Sequence, residues 1–247
     1  MNNNLKLKLM WGACLLLVAI IVIAIVREPT TGAPPGEWGP LTPGSPAANS
    51  PNLIPNGGFE GARMALWTHR QNVLVLPSRL PDGTMDTELP EGVIDPKGGR
   101  TGGAFRLGDQ RAKRAEVVAS WTKPITHCDW FFDGYARAAV KRGTGWVGIE
   151  FVFEDDKGQR IASYLSWSGL NGGRPEAQPG RLLREMAPAD GGWGRVPIRT
   201  GHDLQQNGLE MPRKPAFLVV KLCLSLEDAH ADAWFEDLDL RDMRMGR

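Results

Sequence analysis

Asn52-Leu53-Ile54-Pro55-Asn56-Gly57-Gly58-Phe59-Glu60 is the first apolar strand signal after a long proline-rich segment. Ala233-Trp234-Phe235-Glu236-Asp237-Leu238-Asp239-Leu240, near the other end, is its counterpart. Between them lie short runs in which apolar and polar residues alternate, the period of a half-buried strand. Read together, the two stretches predict the opening and closing strands of one β-sandwich.

The runs between them can be placed one by one. Val73 and Val75 alternate with polar neighbours, and Ala104–Leu107 follows Gly102-Gly103. Arg114–Trp121 and Asp129–Val140 read as strands. The clearest is Gly145–Asp155, where Val147, Ile149, Phe151 and Phe153 share one parity and Trp146, Glu150 and Glu154 the other. Glu154–Gly158 reads as a turn, and Arg160–Trp167 as the returning strand of a hairpin. Trp193–Arg199, Ala216–Leu226 and Asp232–Leu240 complete the set, with loops over 168–192 and 200–215. Roughly ten strands without an amphipathic helix among them predict an all-β fold of two packed antiparallel sheets.

Composition agrees. The 247 residues include 30 Gly and 19 Pro, which suits many turns better than long helices. A formal net charge of +1 gives no electrostatic footprint for nucleic acid. Nine Trp against two Tyr make the indoles worth following. Of the cysteines, Cys14 lies in an apolar run. Cys128 shares parity with the inward Trp130 and Phe132, whereas Cys223 is turned outward by its neighbours Leu222 and Leu224. A disulfide and two thiols both remain open, and parity favours the thiols.

The N-terminal fifth has a different character. Residues 1–8 are polar and carry Lys6 and Lys8, and no charge follows from Leu9 to Val26. That uncharged run is long enough to cross a bilayer of about 30 Å as a helix. It lacks the Ala-x-Ala-like site of a cleaved signal peptide, the rival reading. The basic flank predicts residues 1–8 inside and the bulk of the chain outside. Seven of the 24 residues in 28–51 are Pro. This makes a semi-rigid spacer of up to ~70 Å, with Trp38 inside it. The expected organisation is a cytoplasmic tail (1–8), a transmembrane helix (9–27), a linker (28–51) and an extracytoplasmic β-sandwich (52–247), periplasmic or at the cell surface.

The two end motifs resemble those of galactose-binding-like β-sandwich (jelly-roll) domains, which include several carbohydrate-binding module families. In that family an Asn-Leu-apolar-x-Asn-Gly-x-Phe-Glu strand opens the domain and an apolar-Phe-Asp-Asp-apolar strand closes it. Here the closing motif is Trp234-Phe235-Glu236-Asp237-Leu238, with Glu in the first acidic position. Arg100–Leu107 and Trp130–Ala138 resemble two of the family's intervening strands, so the likeness spans about 52–243, with extra length near 76–99 and 169–215. The resemblance implies a structural calcium held by Glu60 and Asp237 with backbone carbonyls near Thr101. The alternative is carboxylates making strand-end hydrogen bonds.

A sugar site needs an aromatic face for the apolar side of a pyranose and planar polar groups for its hydroxyls. If Asp129–Asp155 is a hairpin, Tyr135 and Arg137 on one strand and Trp146 and Glu150 on the other point outward from one sheet. These four are the expected ligand-binding residues. A solvated face on which they pair with one another is the alternative. Ser166-Trp167-Ser168-Gly169 lacks the first Gly of a nucleophile elbow, the four His show no metal spacing, and no glycine-rich phosphate loop opens a helix. The chain therefore reads as non-catalytic. Two functions remain: a membrane-anchored module recognising a carbohydrate, or an accessory subunit of a membrane-protein complex.

Overall fold

A computed structural model describes residues 50–59, 67–74, 78–79, 85–86, 93–186, 192–209 and 214–244. The expected membrane helix, the linker with Trp38, Cys14 and Glu60 lie outside these. No described helix is long and apolar enough to cross a membrane. The elements are β1 (Thr68–Leu74), β2 (Ser78–Arg79), β3 (Met85–Asp86), β4 (Val93–Asp95), β5 (Ala104–Pro124), β6 (Trp130–Glu154), β7 (Arg160–Leu170), β8 (Arg181–Glu185), β9 (Gly194–Arg195), β10 (Ile198–Arg199), α1 (Thr200–Gln206) and β11 (Phe217–Asp242).

Three strands dominate. β11 lies between β5 and β6 and is antiparallel to both along nearly its whole length. Laid straight, the 25 residues of β6 would reach about 80 Å. They do not run straight. The rings of Phe132 and Phe151, both on β6, meet edge-to-face with centroids 4.9 Å apart. Nineteen residues of extended chain would separate them by about 60 Å. β6 therefore doubles back, and its neighbours bend beside it. The corner is visible in the backbone: Gly143 has φ +78° and Asp228 φ +46°. Register shifts in the β11–β6 ladder fall between Glu227 and His230 and again before Ala231. Strands that pass from one sheet to another through such irregularities form the corners of sandwiches.

The corner divides the ribbon into two layers. Layer A holds the first halves of β5 and β6 and the second half of β11, flanked by β4, β9 and β10. Layer B holds the other halves, flanked by β1 on one side and β7 and β8 on the other. One core fills the space between, including Phe105, Phe132, Ala136 and Phe235 from layer A and Val147, Ile149, Phe151, Tyr164 and Leu222 from layer B. The expected two-layer β architecture is present. The expected hairpin of Asp129–Val140 with Gly145–Asp155 is not, because those two runs are the two halves of β6.

The opening motif docks on the closing one without forming a strand of its own. Asn52 Nδ2 donates to the Leu238 carbonyl at 2.8 Å, and its Oδ1 accepts from Ile54 N and Leu240 N at 3.0 Å each. Leu53 N donates to the Leu240 carbonyl, and Leu238 N to the Gly57 carbonyl, both at 2.9 Å. Pro55, which has no N–H, and positive φ at Asn56 and Phe59 prevent a regular ladder here. A Cβ on Gly57 would lie 2.0 Å from the Leu238 oxygen, so only glycine permits this approach. Phe59 is fully buried and stacks on Phe105, with centroids 5.8 Å apart.

Two expected loops hold structure. β8 lies within 168–192 and pairs in parallel with β7, so residues 171–180 must cross back over the sheet. α1 lies within 200–215 and is closed off two residues beyond its end by Gly208, whose φ of +70° lets Leu209 N reach the Leu204 carbonyl. Between β9 and β10, Pro197 interrupts what reads as one strand.

Candidate functional site

The bend decides which side chains can act together. Tyr135 and Arg137 alternate with core-facing Ala136 and Ala138, so they lie on the outer face of layer A. Trp146 and Glu150 alternate with core-facing Val147 and Ile149, so they lie on the outer face of layer B. The four residues expected on one face form two pairs on opposite sides of the sandwich.

On layer B, Trp146 packs with Leu165, Trp167 and Cys223 into a second apolar cluster, separate from the core. The 171–180 crossover forms a wall beside it, with Gly173 close against the Gly145 backbone. Between wall and sheet is a cleft of about 350 Å³, lined by Trp146, Arg174, Glu176, Gln178, Arg181 and Glu227 among others. Glu150 does not line it. Its carboxylate is buried and grips Arg181 through Nε at 2.9 Å and Nη2 at 2.8 Å, with Lys221 Nζ at 3.9 Å. Glu150 thus holds a lining residue in place. Arg160 does the same for Gln178, donating to its Oε1 at 2.6 Å. The lining charges nearly cancel, with Arg174 and Arg181 set against Glu176 and Glu227. Such a cleft offers an indole edge and planar hydrogen-bonding groups to a neutral, hydroxyl-rich molecule. The sequence reading missed Arg174, Glu176, Gln178 and Arg181, because it took their segment for a loop without a place on the sheet.

At the edge of layer B, β8 turns Arg184 inward. Arg184 Nη1 donates to the Tyr164 hydroxyl at 2.8 Å and to Asp203 Oδ2 at 3.1 Å, and all three residues are buried. Burial pushes the Tyr164 phenol above its ordinary range, opposed by the guanidinium beside it. This network ties β8, and with it the wall of the cleft, to α1.

On layer A, Arg100 lies over the Tyr135 ring at 3.7 Å. Arg137 sits 4.3 Å from the Trp234 ring and 5.0 Å from that of Trp193. Asp133 takes Arg195 bidentately at 2.6 and 2.8 Å, and these bonds raise the guanidinium pKa further. Of the two rings expected to meet sugar, that of Tyr135 thus has one face covered by a guanidinium group.

Of the expected calcium set, Glu60 lies outside the described residues, while Asp237 and the loop near Thr101 are described. Asp237 Oδ2 is 3.6 Å from Arg100 Nη1, so a cation already stands beside it. Near Thr101 the loop presents donors: Arg100 N, Thr101 N and Thr101 Oγ1 all bond to the buried Glu236 carboxylate. Calcium wants six to eight oxygens, whereas here N–H groups fill the carboxylate. Asp228, His230 and Asp232, which share one parity in sequence, straddle the corner, and Asp232 pairs with Arg106 at 2.9 Å. Among the described residues no three His, Cys, Asp or Glu side chains are grouped to hold a metal. Cys128 and Cys223 are two buried thiols, Cys128 in the main core and Cys223 in the outer cluster of layer B.

No protein-family model matches the chain, and no curated protein matches it. Solved structures resemble it at low identity. The family 61 module TmCBM61, solved with β-1,4-galactotriose, is 12% identical with a TM-score of 0.41, over 78% of this chain and all of that one. The C-terminal family 22 carbohydrate-binding module of Clostridium thermocellum Xyn10B is 9% identical with a TM-score of 0.44, over 79% of this chain and 98% of that one. The enzymatically active domain of bacteriophage CBA120 tailspike protein 4 is 11% identical with a TM-score of 0.45, over 76% of this chain. This chain spans about a fifth of that tailspike chain, the 21% covered. All three likenesses concern overall shape, and the layers, corner and cleft described above rest on this chain's own pairing and contacts.

Proposed function

We propose that this protein is a non-catalytic module that binds a neutral carbohydrate in the cleft of layer B, held at a membrane by residues 9–27 with the sandwich outside the cytoplasm. The observation that supports it is the cleft: an indole edge, a wall of planar polar side chains and near-balanced charge. Among the described residues Ile161 is the one exposed large apolar side chain. The proline-rich spacer would set the cleft away from the bilayer, where extended polymers are reachable.

The test uses the full-length chain, purified in detergent and applied to a printed panel of neutral oligosaccharides. Wild type binds a defined subset, and Trp146→Ala and Arg174→Ala each weaken it by about tenfold, roughly the loss of one good contact. Binding unaltered by both substitutions, or recovery only within a stoichiometric membrane-protein complex with no panel signal, would overturn the reading.

A further inference from the structure

The outer face of layer A carries a group of side chains that the neutral cleft does not use. Along β6 the outward residues Tyr135, Arg137 and Lys141 follow one line, and Arg100 stacks on the first of them. The six residue steps from Tyr135 to Lys141 span about 20 Å of strand. Three cations therefore face outward along that line.

Their partners differ. Arg100 and Lys141 each have a carboxylate at the long distance of 3.6 Å, Asp237 and Asp232 respectively. Their side chains are 32% and 53% exposed, so neither is locked away. For Arg137, no carboxylate lies within ion-pairing distance among the described residues. It is held instead by two half-buried indoles and by one bond from Nη2 to the Gly98 carbonyl at 3.0 Å. Its Nε is buried without an acceptor. A guanidinium set against aromatic rings is partly stripped of water and oriented, and with Nε buried it is the Nη groups at its end that suit a carboxylate.

We infer that this face is a second binding site, for an extended carboxylate-bearing glycan, with Arg137 as its central contact and Arg100 and Lys141 on either side. The neighbouring carboxylates choose among acidic polymers. Asp133, Asp232 and Asp237 border the line and would repel a chain that offers anionic groups without hydroxyls. They can accept hydrogen bonds from hydroxyls, which a uronate chain supplies and a polyphosphate or polyglutamate chain does not. The site lies on the opposite layer from the cleft and does not depend on it.

The experiment measures binding of short oligogalacturonate to the full-length protein. The same chain with its carboxyls methyl-esterified, polyglutamate and a single-stranded oligonucleotide are the other arms. Oligogalacturonate binds and weakens as salt is raised, while the ester does not bind. Arg137→Gln weakens oligogalacturonate binding by about tenfold or more, as expected for one charge-assisted contact. Arg137→Lys restores little, because an ammonium neither stacks nor bonds in a plane. Lys141→Gln, at an exposed position, weakens it about threefold, the scale of one surface charge pair, and covers the case in which Arg137→Gln does not fold. Equal binding of the ester, equal or tighter binding of polyglutamate or the oligonucleotide, no oligogalacturonate binding by wild type, or insensitivity to Arg137→Gln and Lys141→Gln would each overturn the assignment. The neutral panel, recorded in parallel, tells failure of this site from failure of the cleft.

Discussion

Asp203→Asn tests the network that holds the cleft's wall. Asp203 Oδ2 accepts from both Arg184 Nη1 and Arg199 N at 3.1 Å, and Oδ1 faces His202 Nδ1 at 3.4 Å. An amide with its oxygen at the Oδ2 position keeps the two bonds and removes only the charge. That leaves the Arg184 guanidinium buried against the neutral Tyr164 hydroxyl with no counter-ion, and its Nη2 already lacks an acceptor. Breaking a buried pair in this one-sided way costs about 3 kcal/mol or slightly more. For a domain of this size that lowers the thermal midpoint by ~6–12 °C. Removing both charges together, as Arg184→Met with Asp203→Leu, should recover most of the loss, since two desolvated charges give way to apolar packing. The assay is guanidinium unfolding of the full chain in detergent, followed by tryptophan fluorescence, for Asp203→Asn, the single variants Arg184→Met and Asp203→Leu, and the double. A change below about 0.5 kcal/mol for Asp203→Asn would refute the reasoning, because that lies within the roughly 0.2–1 kcal/mol of exposed pairs. So would a double variant as unstable as the sum of the singles, which would mean that the pair does not act as a unit.

Two further predictions concern the corner and the core. Gly143 and Gly158 both have positive φ, but a Cβ at Gly143 would sit 2.2 Å from the Asp228 oxygen while one at Gly158 would meet nothing within 4 Å. Gly158→Ala should cost about 1–2 kcal/mol, the ordinary left-handed penalty, and Gly143→Ala clearly more, read from the same unfolding curves. Equal costs would mean that the corner is not tightly built. Burial pushes the Cys128 thiol from 9.0 up to about 12. Because the folded value is the higher one, its contribution is intact below pH 9 and is lost as pH rises towards 12. Cys128→Ala should therefore flatten alkaline destabilisation by up to about 1.4 kcal/mol per pH unit in that window. The Tyr164 phenol, also raised, adds a component of the same sign that the substitution leaves in place. An unchanged slope would show the Cys128 thiol to be accessible to water.

The period-two alternation of Val147, Ile149, Phe151 and Phe153 determined which side of that run enters the core, and every one of them is buried there. The parity of Cys128 and Cys223 likewise placed one thiol inward and the other outward. The Asn52 stretch was legible as the opening of the sandwich but not in its form, since it docks on the closing segment through side-chain bonds and a turn rather than as the strand expected. These are local properties, written in residue types a few positions apart.

Tertiary structure decided what local patterns cannot carry. Alternation says that Tyr135 and Trp146 each face away from the core, but it does not say whether the backbone between them turns back beside itself or bends across to the other layer. Gly143, opposite Asp228, makes it bend, and the change from hairpin to corner moves two expected ligand residues to the far side of the molecule. The wall of the cleft was hidden for a similar reason. Arg174, Glu176 and Gln178 show no periodicity of their own, and only the parallel pairing of β8 with β7 brings them over the sheet. Periodicity fixes a side chain's direction relative to its own strand, while its neighbours across space depend on where distant strands of the chain are paired.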